Sequence, residues 1–238
     1  MNNFNDSLKK ILEFAFSDKS NSFFSSEKVL KDLSSDKIHI LSLEEGKTFI
    51  EGNSQLEYIF ILINGMTYVV NYTLDGRRII ADTFNEVQIF GLIESINNTN
   101  FYKGTVITLS KSLLVKVNKE KFLEAMHNDI DIASKIIKYL AGFSTHSIQV
   151  SEYKTAISTY ENLIIYLYNK ALGKNIPYRI KDKKSFIADC LQINKRTLYR
   201  YLNDLTHEGI ISRDRQDIII SDSNLKNIQK IFNSINNL

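Results

Sequence analysis

The hydrophobic pattern of this chain changes from the period of strands to the period of helices near residue 118, and this change limits the folds open to it. Between Ile38 and Val117, short runs rich in β-branched and aromatic residues alternate with turn signals such as Asn64-Gly65 and Asp75-Gly76. These dipeptides favour hairpin turns because they tolerate positive φ. Strands are therefore predicted at Ile38–Leu43, Lys47–Ile50, Tyr58–Ile63, Met66–Thr73, Arg78–Phe84, Val106–Leu109 and Leu113–Val117.

Helices are predicted on both sides of this β region. After residue 118 apolar residues recur at spacings of three and four. Asn118 is a suitable N-cap for a helix over Lys119–His127, and a longer helix is expected from about Asp129 to Tyr153. A further helix over Ile157–Ala171 precedes three short helices and a hairpin. Residues 1–35 are expected to form a mixed helical leader, because apolar side chains there recur at helical spacing, namely Leu8, Ile11, Leu12, Ala15 and Phe16.

The composition fits a water-soluble protein of two domains. Hydrophobic residues make up 43% and charged residues 24% of the 238 residues, as in ordinary globular proteins. The chain starts without a secretory signal pattern, and no segment approaches the roughly 18 apolar residues of a membrane span, so a cytoplasmic protein without membrane contact is expected. Cys190 is the only cysteine and the four histidines lie far apart, so no metal site and no cofactor are predicted.

The charge of the chain is distributed unevenly. Residues 1–150 carry 16 Lys and Arg against 18 Asp and Glu, which gives a net charge of −2. Residues 151–238 carry 14 against 9, which gives +5. The positive charge of the last third indicates an anionic partner for that part of the chain.

Residues 184–203, which read KSFIADCLQINKRTLYRYLN, carry the most specific motif. They predict a helix over Lys184–Leu191, a turn over Gln192–Asn194 and a second helix from Lys195 to about Glu208. Such a pair is a helix-turn-helix, whose second helix enters the major groove of double-stranded DNA. Apolar residues on both helices are placed to pack them together, namely Ile187, Ala188, Leu191, Ile193, Leu198, Tyr201 and Leu202.

The second helix of this motif carries polar side chains opposite its apolar face. Arginine can donate two hydrogen bonds to guanine O6 and N7, and asparagine can pair with adenine N6 and N7. Asn194 is expected to be the N-cap of this helix, and Thr197 is expected to lie near phosphate. The candidate base-reading residues are Lys195, Arg196, Tyr199, Arg200 and Asn203.

Basic residues flank the motif on both sides. Lys181, Lys183 and Lys184 precede it and are expected to lie beside the DNA backbone, where they supply affinity that does not depend on sequence. Downstream, residues 209–220 predict two strands around a polar tip. Arg213 and Arg215 at this tip are expected to form a wing that contacts phosphate.

The long helix from about Asp129 is predicted to form a homodimer. Its first half is apolar around much of its circumference, so one face is expected to cover the β domain and another to pack on a partner chain. Beyond this half the seam weakens to Ser144, Ser147 and Ser151, which does not support a regular coiled coil over the whole length. The candidate interface residues are Ala133, Ile136, Ile137, Leu140 and Phe143.

From about Ile38 to Ile220 the chain resembles the Crp/Fnr family of bacterial transcription regulators. The best-matched parts are residues 184–205, Glu208-Gly-Ile-Ile and Asp217-Ile-Ile-Ile. The resemblance implies an α+β fold with three parts: a helical leader and jelly-roll-like β-roll sensor domain over residues 1–127, a dimerisation helix over 128–155, and a winged helix-turn-helix over 156–238. It implies a homodimer on a palindromic DNA site, and RNA polymerase is expected as a further partner.

The DNA-reading residues depart from the best-known members of that family. Arg196 stands where those members carry an acidic reader, and Tyr199 replaces a small residue. Their operator sequences are therefore not expected to apply here. Gln192 replaces the glycine that is usual in the turn. A residue with a side chain must therefore adopt the backbone conformation that glycine usually adopts there.

The β-roll also departs from the family's cyclic-nucleotide binders. Those proteins hold the ring phosphate with a Gly-Glu-Leu segment and a later Arg-Ser or Arg-Thr pair. Here the segments read Gly91-Leu92-Ile93, with Glu94 displaced, and Tyr102-Lys103-Gly104-Thr105, without arginine. cAMP is not expected to bind, and the domain is either a pocket for an unidentified small-molecule effector or a scaffold without a ligand. The candidate pocket residues are Gly91, Leu92, Lys103 and Thr105.

Two other functions compete with a DNA-binding regulator. The first is a small-molecule-binding protein whose C-terminal domain contacts protein, but the basic face over residues 195–203 would then have no purpose. The second is an enzyme built on the β domain. No Ser/His/Asp, Cys/His or paired-carboxylate pattern is recognisable in the sequence, so catalysis is not predicted.

Overall fold

A computed structural model divides the chain into two compact units, residues 1–144 and 145–238. The structure describes residues 4–17, 23–85, 87–215 and 217–236. The boundary between the two units falls within the long helix that is predicted from about Asp129. The predicted division into three parts, at residues 127 and 155, therefore stays a prediction.

Among its described residues, the first unit contains two antiparallel sheets of four strands each. All seven predicted strands are present, with each end within one residue of its predicted position. The strand orders are β1-β8-β3-β6 and β2-β7-β4-β5. The strands are β1 (Ile38–Leu43), β2 (Thr48–Ile50), β3 (Tyr58–Asn64), β4 (Thr67–Tyr72), β5 (Arg78–Phe84), β6 (Gln88–Phe90), β7 (Thr105–Thr108) and β8 (Ser112–Asn118).

Strand β3 is buried on both faces, which explains its continuous apolar run. Ile59 and Ile61 belong to a core shared with the helices of this unit, whereas Phe60 and Leu62 belong to a second core between the two sheets. Successive side chains of a strand point to opposite faces of its sheet, so one strand serves both cores. The sheet that contains β3 is therefore the middle layer of the unit.

The Asn64-Gly65 hairpin turn that the sequence predicts between β3 and β4 requires its glycine. Gly65 has a φ of +103°. A Cβ at this position would lie 2.4 Å from the Ser112 hydroxyl oxygen and 2.6 Å from the Lys111 carbonyl oxygen. Any other residue would therefore have to displace the backbone of the neighbouring strand.

The helices that begin in the described part of the first unit are α1 (Phe4–Ala15), α2 (Phe23–Lys31), α3 (Leu92–Ile96), α4 (Lys119–Asn128) and α5 (Ile130–Ala156). The predicted helical leader is confirmed, because Leu8, Ile11 and Leu12 of α1 are fully buried in the helix-side core. Asn118 caps α4 as predicted, with its Oδ1 accepting the Lys121 N–H at 3.1 Å. Within the described ranges, no helix combines the length and apolar character that crossing a membrane requires.

The second unit consists of helices around a small antiparallel sheet. Its helix α6 (Thr159–Ala171) starts with a capping box, in which Ser158 and Glu161 satisfy each other's backbone N–H groups. The strand order of the sheet is β10-β11-β9. The remaining elements are β9 (Tyr178–Ile180), α7 (Lys184–Cys190), α8 (Lys195–His207), β10 (Ser212–Asp214), β11 (Asp217–Ile220) and α9 (Asp222–Asn236).

Candidate functional site

Helices α7 and α8 are joined by a tight turn, as the sequence predicts. The Ile193 N–H donates to the Ala188 carbonyl at 3.0 Å and closes the end of α7. Gln192 adopts a φ of +55°, so a residue with a side chain does occupy the left-handed region where glycine is usual. Asn194 caps α8, because its Oδ1 accepts the Thr197 N–H at 2.8 Å. The helix-turn-helix geometry follows from these contacts.

The apolar faces of the two helices meet in the core of the second unit. Ile187 and Ala188 of α7 and Leu198 and Leu202 of α8 are at most 2% exposed. They pack with β9, β11, α6 and α9 in one cluster. This burial fixes which side of α8 faces outward.

The outward side of α8 is basic. Lys195, Arg196 and Arg200 are exposed, and none of the three forms an ion pair with another described residue. The Arg200 guanidinium lies 5.3 Å from the centroid of the Tyr201 ring. Tyr199 is 38% exposed on the same helix. Charges without counter-charges on a helix after a tight turn are suited to an anionic surface.

The structure gives the three upstream lysines different environments. Lys181 and Lys183 are exposed, and Lys183 precedes the first residue of α7. Lys184 is half-buried, and this burial lowers the pKa of its ammonium group. Lys181 and Lys183 are thus the more accessible of the three.

Strands β10 and β11 form the predicted wing, and its two predicted phosphate-contacting arginines have different environments. Arg213 points back to α8, where its Nη1 donates to the Asn203 Oδ1 at 2.6 Å. This bond brings two predicted DNA-contacting residues together and occupies the Asn203 oxygen. Arg215 is exposed at the tip of the hairpin, with a φ of +54°.

Arg179 is a wing residue that the sequence analysis did not single out. It lies on β9 and forms ion pairs with Asp214, at 3.0 Å, and with Asp217. These pairs raise the pKa of the Arg179 guanidinium. They also offset the negative charge of two carboxylates on the wing. Only the register of β9 against β11, which places Arg179 opposite Ile219, brings these residues together.

The predicted dimer-interface residues lie on different faces of α5. Ile137 is 66% exposed, whereas Ile136 is 1% exposed in the core of its own unit. Leu140 packs against this core, and Phe143 stacks on Tyr139 with ring centroids 6.3 Å apart. The prediction that Ile136 lies in a dimer interface is therefore wrong, because helix rotation directs it inward. Ala133 is half-buried.

A cavity of about 140 Å³ lies in the first unit, between the two sheets and α3. Phe84, Phe90 and Val106 form part of its apolar lining. The Phe84 and Phe90 rings meet edge to face, with centroids 5.7 Å apart. The remaining lining residues are Ile50, Val69, Gln88, Ile89, Gly91, Ile93, Glu94, Tyr102 and Gly104.

Only one of the four predicted pocket residues lines this cavity. Gly91 does so, with a φ of +83°. Leu92 is fully buried in the helix-side core, so its assignment to the pocket is wrong. Lys103 is an exposed surface residue, and the Thr105 hydroxyl accepts the Gly52 N–H at 2.9 Å. Neither of these two side chains faces the cavity.

The polar groups that do line the cavity are Gln88, Glu94 and Tyr102. The Tyr102 hydroxyl donates to the Tyr58 carbonyl at 2.5 Å, and burial raises the pKa of Tyr102 to about 12. Tyr102 is therefore neutral and presents mainly its ring. Glu94 was not among the predicted pocket residues, and no sequence signal marks Gln88.

Comparison with known proteins shows what the chain and its first unit are similar to. Residues 40–129 match the model of the cyclic nucleotide-binding domain family. The solved structures that share the fold include Crp/Fnr-family regulators. The predicted resemblance to the Crp/Fnr family and the predicted fold class are confirmed. A comparison with curated protein sequences finds no match.

Three solved structures illustrate the shared fold. A protein described as a Crp/Fnr-family transcriptional regulator from Eubacterium rectale has 18% identity and a TM-score of 0.71, covering 84% of this chain and 92% of that chain. CLP, a c-di-GMP-responsive global regulator from Xanthomonas campestris, has 10% identity and a TM-score of 0.67, with coverages of 78% and 94%. FixK2 from Bradyrhizobium japonicum has 18% identity and a TM-score of 0.57, with coverages of 82% and 96%.

Proposed function

We propose that this chain is a sequence-specific DNA-binding transcription regulator of the Crp/Fnr type, and not an enzyme. The observation that carries the proposal is the exposed basic face of α8, where Lys195, Arg196 and Arg200 have no ion-pair partner among the described residues. Exposed arginines can pair with guanine edges in the major groove. The regulators that share this fold support the same function. A protein that binds bacterial DNA would act in the cytoplasm.

The role proposed for each residue of this face follows from its exposure and its hydrogen bonds. Arg200, Arg196 and Lys195 are proposed as the main base- and phosphate-contacting residues, with Tyr199 and Thr197 beside them. Asn203 is proposed to act together with Arg213, since the two side chains are hydrogen-bonded. The residues proposed to contact the DNA backbone are Lys181, Lys183, Lys184 and Arg215.

We infer a homodimer that packs through one row of exposed residues on α5, the α5 heptad, whose members recur in a seven-residue repeat between Ile130 and Ser151. Ile130, Ile137 and Ile148 are 79%, 66% and 57% exposed, although isoleucine is usually buried. Ser134, Ala141, Ser144 and Ser151 stand between or after them, so that the row repeats at alternating spacings of four and three, the spacing of a helix seam. The serines make this seam less apolar than that of a regular coiled coil. A two-fold dimer would place its two copies of α8, the proposed recognition helices, about 34 Å apart, as a palindromic site requires. RNA polymerase is a further proposed partner.

We propose that cAMP is not the ligand of the first unit. An anionic ring phosphate needs a cation together with amide or hydroxyl donors. No Lys, Arg or His lines the cavity within the described part of the chain, and Glu94 places a carboxylate there. Saturating cAMP is therefore expected to leave both the DNA affinity and the melting temperature unchanged, and a clear change in either would contradict this proposal.

The experiment that tests the regulator proposal is selection of bound sequences from random double-stranded DNA with the purified full chain and no added ligand. The expected result is a palindrome with half-sites about one helical turn apart. The triple variant Lys195→Ala, Arg196→Ala, Arg200→Ala should recover no motif. Its matched control, Lys174→Ala, Lys226→Ala, Lys230→Ala, removes the same charge from exposed sites elsewhere in the second unit and should recover the palindrome.

Recovery of no motif by the native chain would contradict this function. Capture of a protein through the basic face of α8, without DNA, would favour a small-molecule-binding protein whose C-terminal unit contacts protein.

A further inference from the structure

The cavity of the first unit has the wrong electrostatics for a phosphate but suits a different ligand. Glu94 is half-buried, and among the described residues its carboxylate has no ion-pair partner. Its one hydrogen bond is long, with the Lys103 N–H donating to the Oε1 at 3.4 Å. A carboxylate offers about four acceptor sites, so most of its capacity is unused. A ligand that donates hydrogen bonds would satisfy this group.

One amide side chain extends this polar edge. Gln88 is 9% exposed and lines the cavity, and no hydrogen bond of its side chain is found within the described part of the chain. Its amide is therefore available to donate a hydrogen bond to a ligand or to accept one.

The rest of the cavity is apolar and small. Phe84, Phe90, Ile50 and Val106 form an aliphatic and aromatic wall. The volume of about 140 Å³ is close to the roughly 150 Å³ of an apolar cavity that holds benzene. One six-membered ring with a short substituent matches this space.

We infer that this cavity binds a small primary amine with an apolar body, whose ammonium group pairs with Glu94 and whose body packs against Phe84 and Phe90. A cation is favoured over a neutral donor because only a cation compensates the carboxylate as it loses water on ligand binding. Gln88 would accept or donate a further hydrogen bond. The binding inference does not depend on DNA binding, whereas a regulatory role for the amine rests on the proposed function.

The test uses three probes of nearly equal shape with the full chain: benzylamine as the cation, benzoate as the anion and toluene as the neutral control. At concentrations well above its dissociation constant, benzylamine is expected to raise the melting temperature by about 2–4 °C, while benzoate leaves it unchanged. Toluene is expected to bind more weakly than benzylamine. Calorimetric titration measures the three affinities directly.

Variants then locate the binding site. Glu94→Gln is expected to weaken benzylamine binding by about tenfold or more and to leave toluene binding unchanged. Glu51→Gln removes an exposed carboxylate that does not line the cavity, so it should leave both affinities as they are. Among the described residues the Glu94 carboxylate accepts one long hydrogen bond, so its variant should fold, which far-ultraviolet circular dichroism can check. If this variant unfolds, the comparison of the three probes on the native chain still tests whether the cavity prefers an amine.

Equal binding of benzylamine and benzoate would overturn the inference, as would binding of cAMP in place of benzylamine or an absence of all binding. Equal loss of benzylamine affinity in Glu94→Gln and Glu51→Gln would also overturn it, because the amine would then bind through general surface charge. Selection of DNA sequences is measured separately, so a failure of DNA binding and a failure of amine binding are distinguishable.

Discussion

At the scale of single residues, the turn of the helix-turn-helix stores strain at Gln192. Its φ of +55° is unfavourable for a residue with a Cβ, and glycine adopts it freely. Gln192→Gly is therefore expected to raise the free energy of unfolding by about 0.5–1 kcal/mol, measured by urea denaturation. In Gln229→Gly, at an exposed position within α9, the same substitution should instead destabilise by about 1 kcal/mol. Destabilisation by both variants would contradict the strain at Gln192.

The proposed DNA contacts predict different effects for Arg200 and Lys183. Arg200→Ala should reduce binding to the selected palindrome by about 1–3 kcal/mol and remove most of the sequence preference. Lys183→Ala should weaken binding to all sequences alike and should reduce the dependence of binding on salt, because it removes a phosphate contact. Fluorescence anisotropy with specific and scrambled duplexes at several salt concentrations measures both effects. Identical behaviour of the two variants would exclude a base-reading role for Arg200.

At the scale of elements, Asn224 joins the start of α9 to the wing. Its Nδ2 donates to the Gly209 carbonyl at 2.9 Å, and its Oδ1 accepts from Ser212 at 3.0 Å and from the Ser221 N–H at 3.1 Å. Asn224 is 4% exposed, so its replacement would remove these hydrogen bonds and leave space where the buried side chain stood. Asn224→Ala is expected to destabilise by about 2–4 kcal/mol in thermal or urea unfolding. Asn227→Ala, at an exposed position of the same helix, should change stability by less than about 0.5 kcal/mol.

Helix α5 is tied to β6, a strand that lines the cavity, by one hydrogen bond. The Ile89 N–H donates to the Tyr139 hydroxyl at 3.0 Å, and β6 is an edge strand whose outer N–H has no strand partner. Burial raises the pKa of Tyr139 to about 12, so the ring stays neutral near pH 7. Tyr139→Phe is expected to destabilise by about 1–2 kcal/mol in urea unfolding, since this N–H loses its acceptor. An equal effect of Tyr72→Phe, at a position 66% exposed, would contradict this assignment.

The elements also show what sequence can and cannot predict. The helix-turn-helix was predictable because its caps, apolar spacing and turn are local in sequence. Strands β6 and β9 are too short, at three residues each, to show an alternating pattern. Strands β2 and β10 are equally short, but β2 lies between the turn signals Gly46 and Gly52, and β10 belongs to a predicted hairpin. Leu92 was misplaced because the start of α3 turns it to the helix-side core, and one residue decides which face a side chain occupies. The Arg213–Asn203 bond depends on how the wing packs against α8. The cavity edge at Gln88 depends on the pairing of β6 with β3, a strand that is distant in sequence.

At the scale of the whole molecule, the α5 heptad is proposed to set the oligomeric state. Ile137 is the central exposed isoleucine of this seam, and a charge there would lie against its symmetry mate in a dimer. Ile137→Asp is therefore expected to convert the dimer to a monomer. Sedimentation equilibrium measures this change. Since Ile137 is 66% exposed, the isolated chain loses little packing, and its melting should change much less than its association.

The control is His146→Asp, which places the same acidic side chain at an exposed position on the opposite side of α5 and should leave the dimer intact. DNA binding extends the test, because two linked recognition helices bind a palindrome more tightly than one, by a factor of about 10² or more. Ile137→Asp should lower affinity for the full palindrome to that for a single half-site and leave half-site affinity unchanged. A dimer that survives Ile137→Asp would exclude this seam, whereas a monomer that keeps full palindrome affinity would show that the two recognition helices do not act together.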